Sequence, residues 1–114
     1  MSDERRQQQR LPIPVTLEVF DASSGERLGR VVDLSLGGFM LLSEQPQTEG
    51  AHRCRITRIP PSVGLEELTL GTECLWSRAG ADDRHHWSGF HFDDLDEAQH
   101  LHLQALLECF SHTP

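Results

Sequence analysis

The sequence predicts an all-β fold: a small closed or nearly closed barrel of six antiparallel strands, followed by one C-terminal helix. Three observations predict it. Short runs alternate apolar and polar residues between Gly, Pro, Asp and Ser turns, which is the pattern of half-buried strands. A helical period replaces this alternation only near the end of the chain. A chain of 114 residues has room for one core, and closing the sheet removes edges that so short a protein would otherwise expose.

The chain divides into an N-terminal arm over 1–10 and a single barrel domain over 11–114. Met1 to Arg10 is polar throughout and has no apolar face to bury, so a flexible arm is expected. Arg6 and Arg10 stand four apart and would share a face on a helical turn. Pro12 and Pro14 then force an extended path. Val15, Leu17 and Val19 alternate with Thr16 and Glu18 as the first strand. Asp21 to Glu26 is a hairpin turn, followed by strands from about Arg27 to Leu34 and from about Gly38 to Ser43. His52 to Ile59 sets Cys54 and Ile56 against Arg53, Arg55 and Thr57. Pro60 and Pro61 stop that strand. Leu68 to Trp76 follows, with Leu68, Leu70, Cys74 and Trp76 expected on one face. Arg78 to His85 is a charged turn region. His86 to Phe92 is the last strand, with Phe90 and Phe92 opposed to Trp87, Gly89 and His91. Asp94 and Glu97 have the spacing of a capping box for a helix over about 94–110. Its apolar stripe is Ala98, Leu101, Ala105, Leu106, Cys109 and Phe110.

Composition narrows the function classes. Ten basic and 18 acidic residues give a formal charge of −8, which argues against DNA or RNA as a partner. A small anion held by a local basic cluster remains compatible with it. No run reaches the length of a membrane span, and no leader is apparent, so direct membrane insertion is not expected. Cys54, Cys74 and Cys109 are widely spaced and odd in number, which fits a reducing, cytoplasmic compartment. His85, His86 and His91 have no Cys or carboxylate at a metal-ligand spacing and read as exposed histidines. Asp93, Asp94 and Asp96 read as a helix start. With no nucleophile–base pair in view, no enzyme, metal or cofactor is assigned.

The most informative stretch runs from Gly29 to Leu42 as strand, tight turn and strand. Asp33 and Ser35 precede Gly37-Gly38 in an otherwise apolar run. They would share one face if the strand continued through both. They can equally act as turn residues, bonding back to nearby N–H groups. Arg6-Gln7-Gln8-Gln9-Arg10 followed by Asp33-Leu34-Ser35-Leu36-Gly37-Gly38 resembles the PilZ domain family, whose pattern is Arg-x-x-x-Arg, a first hairpin, then Asp/Asn-x-Ser-x-x-Gly. Cys74-Leu75-Trp76 and Gly89-Phe90-His91-Phe92 are similar to that family's last two strands. The resemblance covers nearly the whole chain. It departs in the glutamines between the arginines, where apolar or aromatic residues are common, and in the short segment after the final strand.

The resemblance implies a six-stranded antiparallel PilZ-like barrel that binds cyclic di-GMP and regulates an unidentified protein. The implied ligand-binding residues are Arg6, Arg10, Asp33, Ser35 and Gly38, with Arg5 and Trp76 as flanking candidates. Their chemistry is suitable. Guanidinium forks pair with phosphate oxygens and with guanine O6 and N7. A carboxylate at Asp33 accepts from guanine N1–H and its amino group, and Ser35 offers a short hydroxyl. Gly38 supplies clearance or a backbone shape that a Cβ would spoil. The alternative is a PilZ-like protein-interaction module that binds no nucleotide. A barrel for single-stranded nucleic acid is disfavoured by the net acidity and few aromatic platforms.

Overall fold

The computed structural model of the chain describes residues 11–12 and 16–111. Arg5, Arg6 and Arg10, with the rest of the arm, lie outside the described residues. Among the described residues seven strands precede one helix: β1 (Leu11–Pro12), β2 (Glu18–Asp21), β3 (Arg27–Leu34), β4 (Gly38–Ser43), β5 (Gly50–Thr57), β6 (Leu68–Ala79), β7 (His86–Phe92) and α1 (Glu97–Ser111). A 3-10 turn at Pro61–Val63 lies between β5 and β6.

Neighbouring strands in the order β3-β2-β5-β6-β7-β4 pair antiparallel, and β4 returns to β3, so β2 to β7 form a closed six-stranded barrel. The two-residue β1 is an additional strand on β3, with Leu11 opposite Leu34 and Pro12 opposite Asp33. The alternation positions the core as expected. Val19, Leu41, Cys54, Ile56, Leu70, Phe90 and Phe92 are buried, while Arg53, Arg55 and His91 stay at least partly in water. Phe39 and Phe90 stack at 5.0 Å with nearly parallel rings, and Phe39 meets Phe92 at 5.7 Å. Stacked aromatic pairs of this kind add about 0.5–1.5 kcal/mol beyond their buried area.

The first hairpin shows why its turn residues were chosen. Asp21 Oδ1 accepts from the N–H groups of Ser23 and Ser24, and Gly25 takes a φ of 80°. Only glycine enters that left-handed region without steric cost. Those two bonds hold the Asp21 carboxyl below its ordinary value.

The first barrel strand is Glu18–Asp21, later than the run from Val15 that the alternation predicts, and three further details differ from the periodic reading. First, β5 stops at Thr57 because Arg58 adopts φ 64° and turns the chain out of the sheet. Second, β6 runs on to Ala79, with Arg78 opposite Trp87 and Ala79 opposite His86. Arg78 is therefore in a strand, while the turn itself is shorter, over 80–85, and holds Asp82, Asp83, Arg84 and His85. Third, the helix cap is Asp96, not Asp94. Asp96 Oδ1 accepts from Gln99 N–H at 2.7 Å, and Gln99 Oε1 accepts from Asp96 N–H at 3.0 Å. Both pairs have the spacing of a capping box. Gln99 Nε2 also donates to the Thr69 carbonyl on β6 at 3.2 Å, which anchors this box to the barrel. The buried stripe shifts accordingly to Leu103, Leu106 and Phe110, while Leu101 is left 56% exposed.

Cys54 is fully buried, and burial pushes its thiol up to about 11. Cys74 is buried and raised for the same reason. Thiolate is the reactive form, so both should resist labelling in the native protein. Titration with an aromatic disulfide at pH 8 should modify Cys109 first, and Cys54 and Cys74 only on unfolding. Fast native labelling of Cys54 would contradict this packing.

Candidate functional site on the outer wall of the barrel

The motif between β3 and β4 folds as a tight turn. Ser35 N–H donates to the Gly38 carbonyl at 2.9 Å. Ser35 Oγ accepts from Gly37 N–H at 3.1 Å and Gly38 N–H at 3.2 Å, and lies 3.4 Å from the Gly38 carbonyl. A hydroxyl has one donor and two acceptor sites, so these contacts use most of its capacity. Ser35 is buried at 4% exposure. β3 ends at Leu34, so Asp33 and Ser35 do not continue along one strand face.

Asp33 is positioned by a β-bulge. Val31 faces Leu41 and Asp33 faces Met40, which leaves one extra residue in β3. A bulge re-aims the side chains around it. Asp33 is thereby partly buried, and its Oδ1 is out of contact with water.

A second bulge shapes the opposite side of the site. Cys74 faces Phe90 and Trp76 faces Gly89, so Leu75 is the extra residue in β6. Cys74 therefore stays in the core and Trp76 turns outward, correcting the expectation that both share one face. The bulge also leaves Leu75 53% exposed. The Trp76 indole lies against Gly89, where a Cβ would overlap Nε1 and Cε2. The Arg78 guanidinium sits 5.2 Å from the ring centre, within cation–π range.

Ser35, Gly37, Gly38, Leu75, Trp76, Gly89, Phe90 and His91 line one cleft of about 160 Å³. The turn, Gly38 and Trp76 thus come together on the wall formed by β4, β7 and β6. Asp33 lies outside this lining, one strand end away. Gly38 has a definite steric reason. A Cβ there would overlap the Phe90 carbonyl oxygen and come within 3.1 Å of His91 Cα. Its clearance serves the close approach of β4 to β7, and its φ is not in the left-handed region.

Leu75, Gly89 and His91 in the lining, and Arg78 beside it, were missed as site residues. The outward phase of Gly89 and His91 was legible in the last strand. The exposure of Leu75 depends on the bulge. His85, grouped with His91 in the sequence, is elsewhere and pairs with Asp82 at 2.7 Å. That bond is the main cause of an Asp82 carboxyl lowered to about 2. Among the described residues no cluster of His, Cys, Asp and Glu could hold a metal, and no helix is long and apolar enough to cross a membrane.

The sequence matches the PilZ domain family over residues 4–109. No curated protein matches it significantly. The fold is similar to the PilZ domain with c-di-GMP of YcgR from Escherichia coli, at 17% identity and a TM-score of 0.66, covering 94% of this chain and 92% of that one. It is also similar to the Bacillus subtilis inhibitor of motility MotI/DgrA, at 17% identity and a TM-score of 0.69, covering 94% of this chain and 49% of that one. The Borreliella burgdorferi PlzA protein in complex with c-di-GMP gives 9% identity and a TM-score of 0.60, covering 98% of this chain and 57% of that one. This chain therefore spans about half the length of the latter two proteins.

Proposed function

This chain belongs to the PilZ domain family, and on that premise we propose that it is a receptor for cyclic di-GMP whose bound form regulates a partner protein. The observation that carries the reading is the cleft in which the β3–β4 turn, Gly38 and Trp76 meet. Its volume of about 160 Å³ is below the roughly 300 Å³ needed by a drug-sized ligand. It suits one guanine, stacked against Trp76. The second base and both phosphates would then lie over the barrel wall.

Arg6 and Arg10, with Arg5 beside them, are the groups to hold those phosphates. Support comes from β1: Leu11 pairs with Leu34, so the chain joins the barrel beside the motif, one residue after Arg10. Asp33 would accept from a guanine edge. Ser35 would act mainly by shaping the turn, since its hydroxyl is already engaged there. Ordering the arm costs about 1–2 kcal/mol per residue, which charge-assisted contacts to two phosphates must exceed. An ordered arm would change the surface offered to a partner, an order-from-disorder switch. No catalytic role is assigned.

One observation favours the alternative of an interaction module without nucleotide. Ser35 and Gly38 both have structural roles that need no ligand. Calorimetric titration with cyclic di-GMP, GTP and linear pGpG separates the two. The receptor reading expects binding of the cyclic dinucleotide alone at micromolar or lower concentration, and its loss in a chain lacking residues 1–10. No heat with cyclic di-GMP, or equal heats with GTP, would leave the interaction module.

A further inference from the structure

The half of the barrel away from the cleft carries an unusual charge distribution. The outward residues of β3, β2 and β5 form cross-strand rows, because Phe20 faces both Arg27 and Arg55, and Glu18 faces both Arg30 and Thr57. Arg53 continues the outer side of β5, and Arg58 follows its end. These five arginines are half of the ten cationic side chains in a protein of charge −8.

The carboxylates within the wall are fewer. Glu18 bridges Arg27 at 2.7 Å and Arg58 at 2.6 Å, and Glu67 pairs with Arg55 at 2.9 Å. Beside the wall, Glu44 shares a cleft with Arg27 and Arg30, and the Asp93 carboxylate lies over Gly71, the β6 residue opposite Arg53. Arg30 and Arg53 meet no carboxylate among the described residues. Phe20 lies in the middle, partly buried, with the Arg55 guanidinium 5.0 Å over its ring. An arginine-rich surface with an aromatic centre is the composition of protein interfaces, where lysine is depleted.

We propose that the outer wall of β3, β2 and β5 docks an acidic segment of a partner protein, with its carboxylates on Arg30 and Arg53 and an apolar side chain on Phe20. The wall is three strands wide, about 10 Å between its outer strands, which matches one extended segment. Its charge also selects the class of partner. A membrane plane or a long nucleic acid meets the field of the whole protein, which is acidic. A short segment stays within about one Debye length, 8–10 Å at physiological salt, and meets mainly the wall. The surface does not depend on the nucleotide reading, because Phe20, Arg30 and Arg53 line no part of the cleft, although β3 also carries Asp33.

The test is fluorescence anisotropy on the full chain without nucleotide, using a labelled oligoglutamate peptide with a central leucine. Binding is expected at low salt, weakening as salt rises. Arg30→Ser/Arg53→Ser should weaken it roughly tenfold, from two exposed charge contacts. Neither guanidinium has an ion-pair partner among the described residues to lose, so the fold should persist, which the melting temperature checks. Arg84→Ser, in the exposed β6–β7 turn, removes charge elsewhere and should leave binding unchanged. No binding, or equal loss in Arg84→Ser, would overturn the proposal. So would tighter binding to phosphatidylserine-containing vesicles or to oligothymidylate than to the peptide.

Discussion

Gly38→Val should destabilise the barrel itself, by about 3 kcal/mol or more. The added side chain would enter the space occupied by the Phe90 carbonyl and the backbone at His91. Backbone in a paired strand cannot move aside as a side-chain tip can. Overpacking of a closed core costs about 1–3 kcal/mol, occasionally more, against a total of roughly 5–15 kcal/mol for a domain. The melting temperature should fall by about 10–20 °C. Gly25→Ala provides the comparison. Gly25 has open space around it but a φ of 80°, so only the left-handed penalty of about 1–2 kcal/mol applies. If Gly38→Val melts like the parent chain and loses only ligand, the glycine clears space for the nucleotide rather than for β7.

Asp33→Ala is expected to weaken cyclic di-GMP binding about ten- to a hundredfold. A guanine edge would lose a charged acceptor, a bond of roughly 1.5–3 kcal/mol. The Asp33 backbone is paired on both sides, opposite Met40 and Pro12, so little backbone ordering is needed when ligand arrives. Asp33→Asn keeps an acceptor of the same shape without the charge and should fall between the two. Calorimetry on all three proteins reads the series, with circular dichroism as the check on folding. Equal affinity across the series would remove Asp33 from the site.

The six barrel strands were legible because each alternates against a single core. Phe90 and Phe92 inward with Trp87, Gly89 and His91 outward required nothing beyond a period of two. Trp76 could not be assigned in that way. Its face reverses at Leu75, and a bulge there is decided by the partner β7 rather than by local sequence. The same holds for Asp33, whose aim depends on the extra residue in β3. The helix start was ambiguous because Asp94-x-x-Glu97 and Asp96-x-x-Gln99 are both good boxes. The contact from Gln99 to Thr69 on β6 favours the second, and sequence alone does not contain it. Ser35 and Gly38 were legible as a pair, but their reasons were not. The hydroxyl closes the turn, and the missing Cβ admits β7.

The central claim is that cyclic di-GMP occupies the cleft beside the β3–β4 turn. Its most direct test is a titration of the isotopically labelled chain followed by amide and indole NMR shifts. The largest changes are expected at Ser35, Gly37, Gly38, Gly89, His91 and the Trp76 indole N–H, together with ordering of Arg5 to Arg10. The wall of Arg27, Phe20 and Arg55 should remain unshifted. Shifts centred on that wall, or none at saturating ligand, would contradict it.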